Sequence, residues 1–322
     1  MPSKLPTIVA LSPLWGLILA ASQFPGSPLS PLSADEKQEV SPAPATTAPN
    51  NVPNETVYLI ALDKDGRPIT DLKPEEVRIV QDKEELRITS VSLASGEPLT
   101  IGLFFDVSGS RHADQHVKEE VKLASEFVHS IWHEGDTGFV MAFSSEAFAA
   151  AQPTHKLENM DDGLSKIPDV TYHGPTALYD ALCIFSADQL NKIPGRKSYV
   201  VLSDFEDNSS RNRLENVVEL ARTAKVAIFP MILSQGFGGS YSKKAEKRGR
   251  QTAQEIADKT GGGVLVPESA KELKPSFAGL AALARSTHRI NYSPSSVPAD
   301  HRKKNLRIEL TRPHGKMLFT KD

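Results

Sequence analysis

Cysteine is nearly absent from this chain: Cys183 is the one copy in 322 residues. No intramolecular disulfide can form, and no thiolate cluster can hold a metal. Cys183 lies in the apolar run Ala181-Leu182-Cys183-Ile184-Phe185 and reads as a buried structural thiol. A strong charge imbalance is also missing. With a formal charge of −3 there is no basic excess to release counterions from phosphates, so nucleic acid is not an expected partner. The apolar stretch 7–21 falls short of the ~20 residues of a membrane-spanning helix, and Pro13 interrupts it. Internal repeats are absent, and the glycine-rich segment 234–241 lacks the Lys-Ser/Thr ending of a phosphate-cradling loop.

What is present divides the chain into five parts. Lys4, the apolar stretch and the small residues Ala20, Ala21 and Ser22 make 1–22 read as a cleavable export signal, with an uncleaved anchor as the alternative. Segment 23–54 is rich in proline, serine and alanine; it cannot bury enough apolar surface to offset its ordering, so it reads as a tether. Residues 55–95 alternate polar and apolar: Val57, Leu59 and Ala61, then Val77 and Ile79, then Leu86, Ile88 and Val91, predicting three short strands. Residues 287–322 alternate likewise, at Leu306, Ile308 and Leu310. Three strands cannot cover their own apolar face, so the two ends are expected to meet in one small β-subdomain.

The central part, 98–286, alternates strand and helix. Ile101-Gly102-Leu103-Phe104-Phe105 is continuously apolar, as a strand covered on both faces requires. Val117, Val121, Ala124, Val128 and Ile131 then recur at helical spacing. Further strands are expected at 139–143, 199–202, 226–233 and 263–266, with helices at 177–190, 214–224, 245–259 and 269–285. The expected fold class is α/β: a doubly wound, mostly parallel sheet covered by helices, flanked by the small β-subdomain. In such sheets the ligand site lies outside the carboxyl ends of the strands.

Oxygen-bearing side chains collect at those ends. Asp106, Ser108 and Ser110 follow the first central strand, Thr176 lies in a loop, and Asp204 follows a further strand. Hydroxyls and carboxylates suit a hard divalent cation, Mg²⁺ or else Mn²⁺ or Ca²⁺. Two negative charges leave such an ion electrophilic, ready for one more anionic oxygen; a cage of carboxylates would quench that. The expected activity is recognition rather than catalysis, with no nucleotide involved.

Phe104-Phe105-Asp106-Val107-Ser108-Gly109-Ser110 resembles the opening of the metal-ion-dependent adhesion site of von Willebrand factor type A domains. Gly174-Pro175-Thr176-Ala177-Leu178-Tyr179-Asp180-Ala181 is similar to that family's threonine loop, and the segment from Val200 to Ser209 to its third metal-binding loop, in the same order. The likeness covers about 100–286, and the flanking β-segments resemble those of exported bacterial proteins of the same broad type. The resemblance implies that Ser108 and Ser110 ligate the cation directly, Asp106 and Asp204 largely through waters, and Thr176 directly or through water. It also implies a protein partner offering Asp or Glu, and a secreted, periplasmic or envelope-associated protein. Phe205 departs from the pattern, since many relatives carry glycine there; it either contacts the partner or packs under its own loop. Arg111 is expected to bring positive charge to the rim of the site, alongside Phe205 as a partner-binding residue.

Three other readings stand beside this one. The metal site could serve only to stabilise loops in a structural or assembly module. Asp106 could be a phosphoryl-accepting nucleophile of a Mg²⁺-dependent enzyme, although that chemistry wants a second carboxylate where Ser108 stands, and its phosphate-positioning lysine would have to be Lys225. His129 and His133, four apart on an expected helix, could share a zinc, but no third ligand accompanies them and a helix-end or surface placement is expected. The basic run Lys243, Lys244, Lys247, Arg248 and Arg250 after the glycine-rich segment is solvated surface or a minor part of a partner contact.

Overall fold

The computed structural model describes residues 54–111, 116–170, 173–193, 195–233, 237, 242–294 and 306–319. The export-signal reading at 1–22, nearly all of the tether at 23–54 and most of the glycine-rich segment lie outside the described residues. Among those described, no helix is long and apolar enough to cross a membrane.

A central sheet carries the α/β part. Strands β5 (Leu99–Asp106), β6 (Thr137–Phe143), β8 (Arg196–Ser203) and β9 (Val226–Ile232) run parallel, and β7 (Ala147–Thr154) closes one edge antiparallel to β6. Every residue of β5 and β6 is buried, as their unbroken apolar sequences require. Alternation sends Ile101, Leu103 and Phe105 to one face, with α1 (Val117–Ile131) and α7 (Ala270–Ala284), and Phe104 to the other, with α3 (Leu178–Leu182), α5 (Leu214–Ala224) and α6 (Lys243–Thr260). On that second face Gly102 makes room for aromatic packing. A Cβ there would stand 2.3 Å from the Phe139 ring, which lies edge-on to Phe104 and Tyr199 at centroid distances of 5.7 and 5.6 Å.

Two expected elements are broken and two went unread. The helix expected over 177–190 divides into α3 and α4 (Ala187–Asn191), because Ser186 starts a new helix: its Oγ accepts from the Gln189 amide (3.2 Å) and its own amide donates to Gln189 Oε1 (2.8 Å). The strand expected at 263–266 shrinks to a parallel bridge at Leu265, with a glycine run before it and Pro267, which has no amide proton, after it. Strand β7 is alanine-rich, and α2 (Leu157–Lys166) buries Met160 and Leu164.

The two ends of the chain share two antiparallel sheets. One has the order β12 (Lys316–Phe319), β1 (Glu55–Leu62), β10 (Thr287–Tyr292), β4 (Ile88–Leu93); the other is β11 (Leu306–Leu310), β2 (Val77–Gln81), β3 (Glu84–Leu86). The single run expected through Leu86, Ile88 and Val91 thus divides at Arg87 between the sheets. Leu59, Ala61, Ile79, Ile290 and Ile308 fill the space between them. Ile60 points the other way, into the core of the central sheet. Guanidinium groups fasten the junction: Arg196 donates to the Ala94 and Ala284 carbonyls (both 3.0 Å), and Arg285 donates to the Ile131 and Glu97 carbonyls (2.9 and 3.1 Å) and pairs with buried Asp136.

Because backbone and rings meet so closely at Gly102, Gly102→Ala should cost about 1–3 kcal/mol of stability by overpacking. Urea unfolding of the variant against the parent checks this; an unchanged midpoint would mean the aromatic layer yields freely.

Candidate metal centre

Strand ends deliver the site. Asp106 is the last residue of β5, and Asp204 follows the last residue of β8, its parallel neighbour. The turn after β5 brings Ser108 Oγ and Ser110 Oγ to 3.1 Å from each other, and Ser110 Oγ donates to Asp204 Oδ2 at 2.6 Å. Asp106 is held on both oxygens: Oδ1 accepts from the Ser108 amide (2.9 Å) and Oδ2 from Ser203 Oγ (2.6 Å). Ser203 Oγ in turn accepts from the Phe205 amide (2.9 Å), and Asp204 Oδ1 from the Glu206 amide (2.9 Å). Ser203 was not among the expected site residues; its position directly before Asp204 at the end of a buried strand was the available signal.

Thr176 reaches this assembly through its loop. The Gly109 amide donates to the Gly174 carbonyl (2.9 Å), tying the threonine loop to the first loop. The Thr176 amide donates to Asn208 Oδ1 (2.8 Å) and the Thr176 carbonyl accepts from the Asn208 and Ser209 amides (3.0 and 3.1 Å), tying it to the third. Asp207 Oδ2 accepts from the Tyr179 amide (3.1 Å) at the start of α3. Asp180 accepts from the Arg211 and Asn212 amides (3.0 and 2.8 Å); burial works against its ionisation, yet these bonds hold its carboxyl below the usual value. The loops are thus pinned to one another by protein groups alone.

Two expected rim residues turn inward. Arg111 is 2% exposed and forms a two-point ion pair with equally buried Glu120 of α1, at 2.9 and 2.8 Å. A buried guanidinium needs such a partner, and α1 presents one nine residues along. Phe205 is 1% exposed and packs in the core on the α5–α6 side of the sheet. Its φ of 61° lies in the left-handed region that glycine occupies most easily, so the burial of the ring accompanies a backbone shape unusual for phenylalanine. Neither side chain is presented to a partner. Glu206 pairs with Arg248 of α6 at 2.9 Å. Beneath the same loop α6 offers Gly249, where a Cβ would stand 2.1 Å from the Asp204 carbonyl oxygen.

The other candidates disperse. His129 Nε2 lies 2.8 Å from Asp161 Oδ2, while His133 falls beyond the end of α1. Lys225 precedes β9, at the opposite end of the sheet from Asp106.

Burial and the nearby Asp106 push the Asp204 carboxyl up to about 6, against the opposing pull of Ser110, the Glu206 amide and Arg111. With Glu120 matched by Arg111, the carboxylates of Asp106 and Asp204 are an excess of buried negative charge that a cation would relieve. The donor spacing fits one: neighbouring ligands of an octahedral Mg²⁺ with bonds of about 2.1 Å lie about 3 Å apart. Among the described residues no three His, Cys, Asp or Glu side chains gather in one place, so the donors on offer are hydroxyls and two carboxylates.

Fold and site together define an α/β protein with an oxygen-rich cluster of side chains at the carboxyl ends of parallel strands. The chain matches no protein-family model and no curated protein. Solved structures similar to it include the conserved hypothetical protein BatB from Bacteroides thetaiotaomicron, at 18% identity over 58% of this chain and 98% of that one, with a TM-score of 0.42. A von Willebrand factor type A protein from Catenulispora acidiphila is similar at 14% identity over 72% of this chain and 50% of that one, TM-score 0.43. Proximal thread matrix protein 1 from the mussel byssus, solved with a zinc-occupied MIDAS motif, is similar at 18% identity over 64% and 49%, TM-score 0.48. Likeness at this level assigns neither ligand nor partner.

Cation affinity should fall with acidification through a pH of about 6, because a protonated Asp204 competes with the ion. Between pH 7 and pH 5 the loss should be about tenfold, read by calorimetry with Mn²⁺. Metal-free protein should show the reverse sign. A carboxyl raised above its unfolded value stabilises the fold below that value and loses the effect as pH rises towards 6, so the stability of the parent minus that of Asp204→Asn should rise on acidification from pH 7. Gly249→Ala should push α6 off the third loop, costing about 1–3 kcal/mol in urea unfolding and weakening Mn²⁺ binding alongside.

Proposed function

We propose that this chain is a von Willebrand factor type A-like recognition module, exported from the cell, that holds Mg²⁺ and uses it to bind an acidic side chain of a protein partner. The observation that carries this reading is the contact of Ser110 Oγ with Asp204 Oδ2 at 2.6 Å, with Ser108 Oγ beside it. Hydroxyls from one loop and a carboxylate from another meet where a cation would find few negative charges and keep its affinity for an outside anion. Ser108, Ser110 and Thr176 would hold the ion with Asp106 and Asp204 around it; Mn²⁺ or Ca²⁺ are alternative occupants. The ion supplies a Lewis-acidic docking point, and this chain's own residues set its position and charge.

A loop-stabilising metal in a structural module is the competing reading. Against it, the loops are already joined by the Asn208, Asp207 and Asp180 contacts, so they have less need of an ion to hold their shape. The enzymatic reading is weakened because both oxygens of Asp106 accept protein hydrogen bonds and Lys225 lies far from it along the sheet. Export rests on the character of 1–22.

Capture of a protein partner should vanish in EDTA, return with added Mg²⁺, and be lost in Asp106→Ala and Ser110→Ala variants that retain the parent unfolding midpoint. Calorimetry with Mg²⁺ should show one site in the parent and at least tenfold weaker binding in Ser110→Ala. Partner capture that survives chelation would favour the structural module instead. Phosphomonoester turnover abolished by Asp106→Asn would overturn the recognition reading altogether.

A further inference from the structure

A second concave region lies at the other end of the central sheet. A cavity of about 520 Å³ opens between β1 and the first residues of β8 and β9. The length of β8 from Lys197 to Asp204 separates it from the metal centre by roughly 20–25 Å. Its volume falls in the range of small-molecule sites, about 300–1,000 Å³.

The wall has two characters. Ile60, Phe229, Leu306 and Leu318 contribute apolar surface. Arg196, Lys197, Arg222 and Lys225 contribute four cations, against one carboxylate among the described lining residues, Glu55, which accepts from the Tyr292 hydroxyl (2.8 Å). Arg196 is engaged by backbone carbonyls and serves the junction between the sheets. The other three cations have weak protein partners or none in the described residues. Lys197 is 6% exposed, and its Nζ is 3.4 Å from the Gly195 carbonyl oxygen. Arg222 Nε is likewise 3.4 Å from the Lys259 carbonyl oxygen. Both distances sit at the outer limit of a hydrogen bond. Lys225 stands exposed after α5, at the mouth.

A buried ammonium without a carboxylate is costly, and a second cation nearby adds to the cost. Burial and the charge of Lys225 push the Lys197 ammonium below its ordinary value. An anion entering the cavity would offset both terms at once, while the apolar wall rewards a hydrocarbon body behind the charge. A flat lipid surface does not suit the site, since Lys197 lies inside a recess and not on a face.

We propose that this cavity binds an amphipathic anion, with a carboxylate or phosphate head held by Lys197, Arg222 and Lys225 and an apolar body lying along Ile60, Phe229 and Leu318. The site is independent of the metal centre, and its ligand binds equally with or without Mg²⁺.

Titration calorimetry on the full chain tests it, with decanoate, decyl phosphate and decanol as probes below their aggregation limits. Saturable one-to-one binding of at least one anion is expected, with decanol at least tenfold weaker; the tighter of the two anions identifies the head group. Lys197→Met should weaken the anion at least tenfold and leave decanol unchanged. Should Lys197→Met fail to fold, the double variant of half-buried Arg222→Gln and exposed Lys225→Gln provides the same reading outside the core. EDTA should change nothing. Absence of saturable anion binding, equal binding of decanol, or full affinity after removal of the three cations would overturn the proposal.

Discussion

Two buried carboxylates facing one another across adjacent parallel strands are the constraint around which this protein is arranged. Asp106 and Asp204 are 1% and 4% exposed, and the register of β5 against β8 fixes their separation. Like charges held that way repel, and the surroundings answer with donors: Ser203 and the Ser108 amide for one, Ser110 and the Glu206 amide for the other. Those donors satisfy lone pairs without neutralising charge, so the pair still favours either a proton or a cation. The tight loop packing, from the Gly109–Gly174 contact to Gly249 beneath the third loop, keeps the pair from relaxing apart.

Much of this was written in local pattern. The unbroken apolar run of β5, the helical spacing of α1 and the acidic and hydroxyl residues just beyond strand ends led to the α/β fold and to the convergence of Asp106, Ser108, Ser110 and Asp204. Features that depend on a distant neighbour were not legible. Arg111 looks like a rim residue until Glu120 is found opposite it on α1, and for Phe205 the sequence leaves partner contact and packing open until α5 and α6 close over it. Strand β7 escaped because alanine has little strand preference and Pro153 argues against pairing; an edge position tolerates both. The break at Ser186 was legible in principle, since Ser and Gln three apart are a helix-start signature. It was masked by the apolar run that ends directly before it.

The candidate metal centre and the cation-lined cavity sit at opposite ends of β8 and use opposite charge. One end gathers carboxylates around a place for a cation; the other gathers cations around a place for an anion. A chain with a formal charge of only −3 therefore carries two strongly charged local environments that its overall balance conceals.

The interleaving of chain ends has a consequence for the order in which the molecule assembles. Strand β1 lies between β12 and β10, and β2, paired early with β3 on one edge, meets β11 on the other, so β1 finds both neighbours and β2 its second only when the last part of the polypeptide arrives. Until then Leu59, Ile60 and Ile79 have no lasting cover, and β1 offers two open edges to any other strand nearby. The central sheet, whose contacts close within its own stretch of chain, is free to form first and wait. Folding in the direction of emergence thus leaves β1 and β2 with sticky edges until the last strands arrive.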